Sequence, residues 1–215
     1  MSARVVLATH NPHKVAEFAQ IVARVRPDLE VVGYDGPEPV EDGVTFAENA
    51  LIKARAASAH TGLPALADDS GICVDVLGGS PGVFSAYWAG HAKDATANLE
   101  LLLDQLSDIA DPHRAAQFVS TIALVAPDGT EHTVEGRWPG RLATERSGEG
   151  GFGYDPIFIP DGQTDAAERT VGSSPPRRSR PSRTAPALSR RSCRCWKTFR
   201  ATENRYPSRL GGNGP

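Results

Sequence analysis

Two adjacent carboxylates, Asp68 and Asp69, close an apolar run and are followed by Ser70 and Gly71, in the stretch Ala65 to Gly71 reading ALADDSG. The run reads as a buried strand leading into a turn, with both acids at its exit. Consecutive strand side chains point to opposite faces, so the two acids need not share one role. One can hold a metal or activate water while the other positions a neighbour. Strand-end loops are where α/β folds keep their chemistry. Taken alone, the tetrapeptide also reads as an ordinary turn, since Asp, Ser and Gly are common turn formers.

A second polar stretch, Thr9-His10-Asn11-Pro12-His13-Lys14, follows the apolar strand Val5 to Ala8. After it, Val15, Phe18, Ala19, Val22 and Val25 fall on one helical face. Strand, short polar loop and helix make a place where backbone N–H groups suit a phosphate, and Lys14 adds a full positive charge. The glycines and the GK[ST] ending of a Walker loop are missing, and Asn11 and Pro12 read equally well as a plain helix start. Glu41 and Asp42 lie in a Pro-, Gly- and acid-rich loop from Asp35 to Gly43. They are candidate metal ligands or simply solvated charges. Thr45 and Glu48 form a T-x-x-E capping box at the head of a helix running to Thr61, which carries Lys53. A glycine-rich loop from Gly148 to Gly153 contains Phe152. Such a loop can bring backbone close to a ligand, and the ring can stack on a base.

Thr9-x-Asn11-x-x-Lys14, Glu48-Asn49-Ala50 with Lys53, Asp68 to Gly71, Pro81-Gly82-Val83 with Ser85-Ala86, and Gly150 to Pro156 occur in an order that resembles the inosine/xanthosine triphosphate pyrophosphatase family. The resemblance runs from about Val5 to about Arg169. It implies one α/β domain with a mixed, curved central sheet flanked by helices, and a substrate cleft between two lobes. It implies hydrolysis of non-standard purine nucleoside triphosphates (those of inosine, deoxyinosine and xanthosine) between the α and β phosphates. Mg²⁺ would be held by Glu41 and Asp69, with Asp42 left as an alternative to Glu41. Asp69 would activate water, with Asp68 in support, and Lys14 and Lys53 would neutralise phosphate. Thr9, His10, Asn11, Pro12, His13 and Lys14 would cradle the phosphates, with Ser70 nearby. Phe152, Gly153, Tyr154 and Asp155 would hold base and sugar. A site built to donate to a 6-oxo group leaves a polar group unpaired against adenine, which gives strong discrimination. The family usually has arginine where Tyr87 stands, and an aromatic cannot replace a guanidinium at an anion contact. A homodimer is the implied assembly.

The elements that must position these residues alternate along the chain, which independently supports α/β. Beyond those already named, Glu30 to Tyr34 reads as a short strand and Ile72 to Leu77 as a strand separate from the one before the acids. Asp94 caps an amphipathic helix to Ile109. Ala115 to Ala126 and Thr130 to Trp138 form a hairpin across Pro127-Asp128-Gly129, and Ile157 to Ile159 is a further strand.

The chain of 215 residues fits one medium domain. Its three cysteines offer neither a disulfide framework nor a zinc spacing. No apolar run suits a bilayer span and no signal-peptide pattern opens the chain, so a soluble, cytoplasmic protein without membrane contact is expected. The net charge of −3 conceals a break: residues 1–172 carry −13 and residues 173–215 carry +10. The catalytic domain is therefore assigned to 1–172. The Arg-, Pro- and Ser-rich tail is read as out of frame and disordered. Back-translated with GC-rich codons and read one base earlier, Ser173 to Leu188 can encode ELSAEEKPALAHRARA, which restores a His-Arg pair of the family. A catalytically impaired nucleotide-binding remnant, or a basic arm for nucleic acid, is the alternative; nucleic acid is not the expected partner.

Overall fold

The computed structural model describes residues 3–148, 150–163 and 168–173. Residues 174–215, on which the reading of the basic tail falls, lie outside them. Among the described residues six strands form one mixed sheet in the order β2-β1-β3-β4-β5-β6. They are β1 (Ala3–Leu7), β2 (Leu29–Gly33), β3 (Ala65–Val74), β4 (Ala115–Val125), β5 (Glu131–Leu142) and β6 (Phe158–Pro160). β1 runs parallel to β2 and β3, while β3, β4, β5 and β6 pair antiparallel in succession. The mixed, curved sheet flanked by helices expected from the sequence is the fold found.

Among the described residues three α-helices cover the sheet. On α1 (Pro12–Ala23), Phe18 and Val22 pack with Val5, Leu7, Leu66 and Ile122. The apolar face of α3 (Ala95–Gln105) packs Leu99 and Leu102 against Ile72, Val74, Phe118 and Leu142. Leu66, Ile72 and Val74 share one side of β3 by parity, so α1 and α3 cover the same face of the sheet. The opposite face belongs to α2 (Phe46–Thr61), whose Ala50 and Ala54 lie on Ala67, Ala123 and Val125.

The cap of α2 is the one read from the sequence. Thr45 accepts from the backbone N–H of Glu48, and the Glu48 carboxylate accepts from the N–H groups of Val44 and Thr45. These bonds hold the Glu48 pKa below its ordinary value. Gly62 ends the helix in the left-handed region, at φ 67°. Thr45→Ala is expected to lower stability by about 1 kcal/mol, measured by urea unfolding.

Beyond shifts of a residue or two at element ends, four features differ from the sequence reading. The acids do not sit at a strand exit. β3 continues unbroken through Asp68, Asp69, Ser70 and Gly71 to Val74, in register with β4 along its whole length. What was read as a separate strand to Leu77 is the end of β3 followed by a 3₁₀ turn, Asp75–Leu77. Ladder pairing with β4 overrides the turn preference of Asp-Ser-Gly. Gly71 is needed there because a Cβ would collide with the Gly82 carbonyl and the Ser85 hydroxyl. α3 stops at Gln105, short of Ile109, and β5 runs on past Trp138 to Leu142.

Candidate active site

Because β3 is a continuous strand, Asp68 and Asp69 project to opposite faces, and each meets a lysine from a different helix. Lys14, in the first turn of α1, reaches Asp68 at 3.2 and 3.3 Å. On the other face, Lys53 of α2 lies 3.3 Å from Asp69 Oδ1 and 2.8 Å from Glu41 Oε2. The residues brought together from four segments are thus Lys14 with Asp68, and Glu41 with Lys53 and Asp69. Of the two acids in the loop it is Glu41 that pairs with Lys53.

The electrostatics of this cluster are set by burial. The side chains of Lys53 and Asp69 are each 17% exposed. Burial works against the Lys53 ammonium, but the carboxylates of Asp69, Glu41 and Asp68 outweigh it and lift its pKa above the ordinary lysine value. Burial raises the Asp69 pKa, helped by the Glu41 charge, against the opposing pull of Lys53 and Asn49. Asp69 Oδ2 is buried without a hydrogen-bond partner. A carboxylate with one oxygen fixed by an ammonium and the other free is equipped to accept a proton or bind a cation.

Thr9 to Lys14 wraps the head of α1. Thr9 Oγ1 accepts from the Asn11 N–H, and Asn11 Oδ1 accepts from those of His13 and Lys14. Asn11 is therefore the N-cap, with Pro12 in the first turn. His10 uses both ring nitrogens on the neighbouring loop, at 3.0 Å from Glu38 Oε1 and 2.9 Å from the Gly36 carbonyl, and stacks on Tyr34 at 5.5 Å. That loop carries Glu41. Ser70, half-buried, lies across from Ser120 in the sheet, on the Asp68 side.

The glycine-rich loop divides its aromatics. Phe152 is 52% exposed. Tyr154 is buried and donates its hydroxyl to the Ser85 carbonyl at 2.9 Å, and burial pushes its pKa well above the ordinary tyrosine value. Asp155 is fully buried and accepts from the Phe152 N–H at 2.9 Å. Gly151 and Gly153 both take positive φ, and Gly151 has no room for a Cβ beside Asp155. Tyr154 and Asp155 thus shape the loop that presents Phe152. Tyr87 stacks on His91 at 5.5 Å and meets Phe84 edge-on.

Sequence reasoning missed two contributors. The carboxamide of Asn49 accepts from the Gly43 N–H, tying the acidic loop to α2 beside Asp69. Its place in the Glu48-Asn49-Ala50 motif was the available signal. Arg114 was missed altogether. It is 1% exposed and donates to the carbonyls of Leu106, Ile109, Leu142 and Ala143, with burial depressing its pKa.

Among the described residues no three His, Cys, Asp or Glu side chains gather into a group that could hold a metal ion. Mg²⁺ does not require one, since it keeps several waters and takes one or two carboxylates together with substrate phosphates. The unpartnered Asp69 Oδ2, with Glu41 across Lys53, fits that donor set. Among the described residues no helix is long and apolar enough to cross a membrane.

Comparison with known proteins gives consistent matches. The model of the Ham1 family matches residues 5–175. A dITP/XTP pyrophosphatase of Leifsonia xyli is 65% identical over 159 residues, covering 74% of this chain and 80% of that protein. Another, from Streptomyces coelicolor, is 54% identical over 165 residues, covering 75% and 82%. Among solved structures, a nucleoside-triphosphatase / dITP/XTP pyrophosphatase from Mycobacterium abscessus superposes with a TM-score of 0.73 at 41% identity, over 95% of this chain and 100% of that one. A HAM1 protein from Coxiella burnetii gives 0.78 at 33% identity, over 94% and 99%.

Proposed function

Because the chain belongs to the Ham1 family, we propose that it hydrolyses non-standard purine nucleoside triphosphates to a monophosphate and pyrophosphate. The substrates are those whose purine carries a 6-oxo group and lacks guanine's 2-amino group, dITP and XTP among them. The observation that carries this at the level of the site is the buried Asp69 carboxylate, bound to Lys53 through Oδ1 and free at Oδ2.

A triphosphate repels an incoming oxygen nucleophile, so the site must first lower its charge. Lys14 and Lys53 supply two ammonium groups from opposite sides of β3. On substrate entry each can exchange its carboxylate for a phosphate oxygen. The loop Thr9 to Lys14 follows the phosphates around the head of α1, and His10 holds the Glu41 loop against it. Glu41 and Asp69 are the residues that would hold Mg²⁺, which when bound supplies further neutralisation and polarises a phosphoryl oxygen. Asp69, with its raised pKa, takes the proton of the attacking water. Asp68 keeps Lys14 aimed. Phe152 stacks on the base, on a loop braced by Tyr154 and Asp155. The substrate is drawn from the cytoplasmic nucleotide pool, and a homodimer is the working unit inferred from the resemblance.

The test is pyrophosphate release from dITP and XTP against dATP and dGTP, with and without Mg²⁺. Equal rates on all four would sink the reading. Lys53→Ala is expected to lower kcat/KM on the order of 100-fold, because it removes charge from the phosphates and leaves Glu41 and Asp69 facing each other. Lys14→Ala is expected to cost roughly 10-fold, the loss of one charge-assisted contact. Parent-like kinetics in both variants would remove the lysines from the phosphate site.

A further inference from the structure

Asp69 does not stand alone on its face of the sheet. The register places Thr121 of β4 directly opposite it, with Glu135 of β5 next in the same row. Directly opposed side chains in an antiparallel pair have Cβ atoms about 4.5–5.5 Å apart. Thr121 is 1% exposed, and its Oγ1 is buried with no hydrogen-bond partner, as is Oδ2 of the opposite residue, Asp69. The next residues on this face are apolar, Ala67 and Ala123 under α2. Valine would fill the Thr121 position with the same shape and no unsatisfied group. A hydroxyl buried there, opposite a carboxylate oxygen that also lacks a partner, calls for a shared ligand.

We infer that Thr121 is a positioning residue for the Asp69 carboxylate, holding Oδ2 through one buried water shared between its hydroxyl and that oxygen. This rests on the reading of Asp69 as the group that binds Mg²⁺ and accepts the proton of the attacking water. Lys53 fixes Oδ1 from the helix side at 3.3 Å. The hydroxyl fixes Oδ2 from the sheet side, and this hold joins those of Lys53 and Asn49 in setting the plane of the carboxylate. A buried water with two or more polar partners is an ordinary part of a protein interior. Groups that orient a metal-binding carboxylate matter nearly as much as the carboxylate itself.

The experiment compares wild type, Thr121→Val and Thr121→Ser in three measurements: Mg²⁺ binding by titration calorimetry without nucleotide, dITP kinetics, and thermal melting. Thr121→Val is expected to weaken Mg²⁺ binding and lower kcat, each by roughly 10-fold or more. Its KM for dITP should stay within a factor of two and its melting temperature should not fall. Thr121→Ser, which keeps the hydroxyl, is expected to restore both losses. A purely packing role predicts the reverse: Thr121→Val tolerated or stabilising, and Thr121→Ser impaired by the lost methyl. Unchanged Mg²⁺ affinity in Thr121→Val, a serine variant no better than the valine one, or no measurable Mg²⁺ binding by the wild type overturns the inference. A wild type that binds Mg²⁺ but releases no pyrophosphate from dITP defeats the proposed activity instead, and the calorimetric comparison still decides the role of Thr121.

Discussion

Asp69→Asn is expected to leave a folded protein whose Mg²⁺-dependent release of pyrophosphate from dITP falls by about 10³–10⁴-fold in kcat, since a positioned general base is itself worth about 10²–10⁴ and the same side chain would hold the ion. The amide has nearly the volume of the carboxylate, so β3 and its pairing with β4 persist. Stability should move little, and its sign depends on pH. A carboxyl whose folded pKa is raised stabilises the native state in its protonated form. That contribution is present below the unfolded value and is lost as pH rises through the folded one. Measured in EDTA, the variant should therefore gain on the wild type as pH rises from the acid range to neutrality. Retention of Glu41 keeps one counter-charge on Lys53. Near-normal turnover would remove Asp69 from the mechanism, and a collapse of the fold would make its role structural.

Arg114→Met is expected to give the largest loss of stability, about 3 kcal/mol, with activity per folded molecule unchanged. The guanidinium is buried without a carboxylate partner in its hydrogen bonds, and all four of those bonds go to main-chain carbonyls. Leu106 and Ile109 belong to the segment just after α3, while Leu142 ends β5 and Ala143 follows it. One side chain thus ties a helix end to a strand end. Removing it relieves the cost of burying a charge. It also strands main-chain carbonyls, those of Leu142 and Leu106 in buried positions, at about 1–3 kcal/mol for each one left without a donor. The Leu106 carbonyl keeps a second donor, the Ile109 N–H, which limits the damage. In a domain of this size the melting temperature should drop by roughly 10 °C. Arg114→Lys should recover little, because an ammonium lacks the planar fork that reaches four acceptors. A methionine variant as stable as the parent would mean that the carbonyls find other partners.

What was legible in the sequence is what is local. Thr45 and Glu48 lie three residues apart and cap α2 as read. Asp94 likewise caps α3, and Asn11 and Pro12 start α1. The two lysines and two acids were found as types, but their pairing was not readable. Lys14 and Asp68 are 54 residues apart and Lys53 and Asp69 are 16 apart, so the partners are assigned by the parallel packing of β1 on β3 and by the helix on each face. Asp68 to Gly71 misled because turn propensity is a weak preference, and a full ladder to β4 outweighs it. The early end of α3 escaped the leucine period. Leu106 is still buried, but the main chain there has already left the helix and turns its carbonyl to Arg114. Tyr154 and Asp155 share a motif with Phe152 and yet face inward, a difference set by the contacts to Ser85 and within the loop.

The seam beneath α2 is built from the smallest side chains available, Ala50 and Ala54 against Ala67 and Ala123. It works as a spacer of fixed thickness between helix and sheet. Lys53 and Asn49 ride on the helix, and Asp69 and Thr121 ride on the sheet, so that thickness sets how far apart the two halves of the acid–ammonium cluster stand. Close-packed interiors yield little to an added methyl group. The usual way to toughen a protein, filling its interior with bulkier hydrocarbon, is therefore closed at this seam. A larger residue there would prise the helix upward and detune chemistry it never touches. Robustness in this molecule has to be gained elsewhere, under α3, where leucine, isoleucine, valine and phenylalanine fill the interior and no residue of the acid–ammonium cluster rides on the helix.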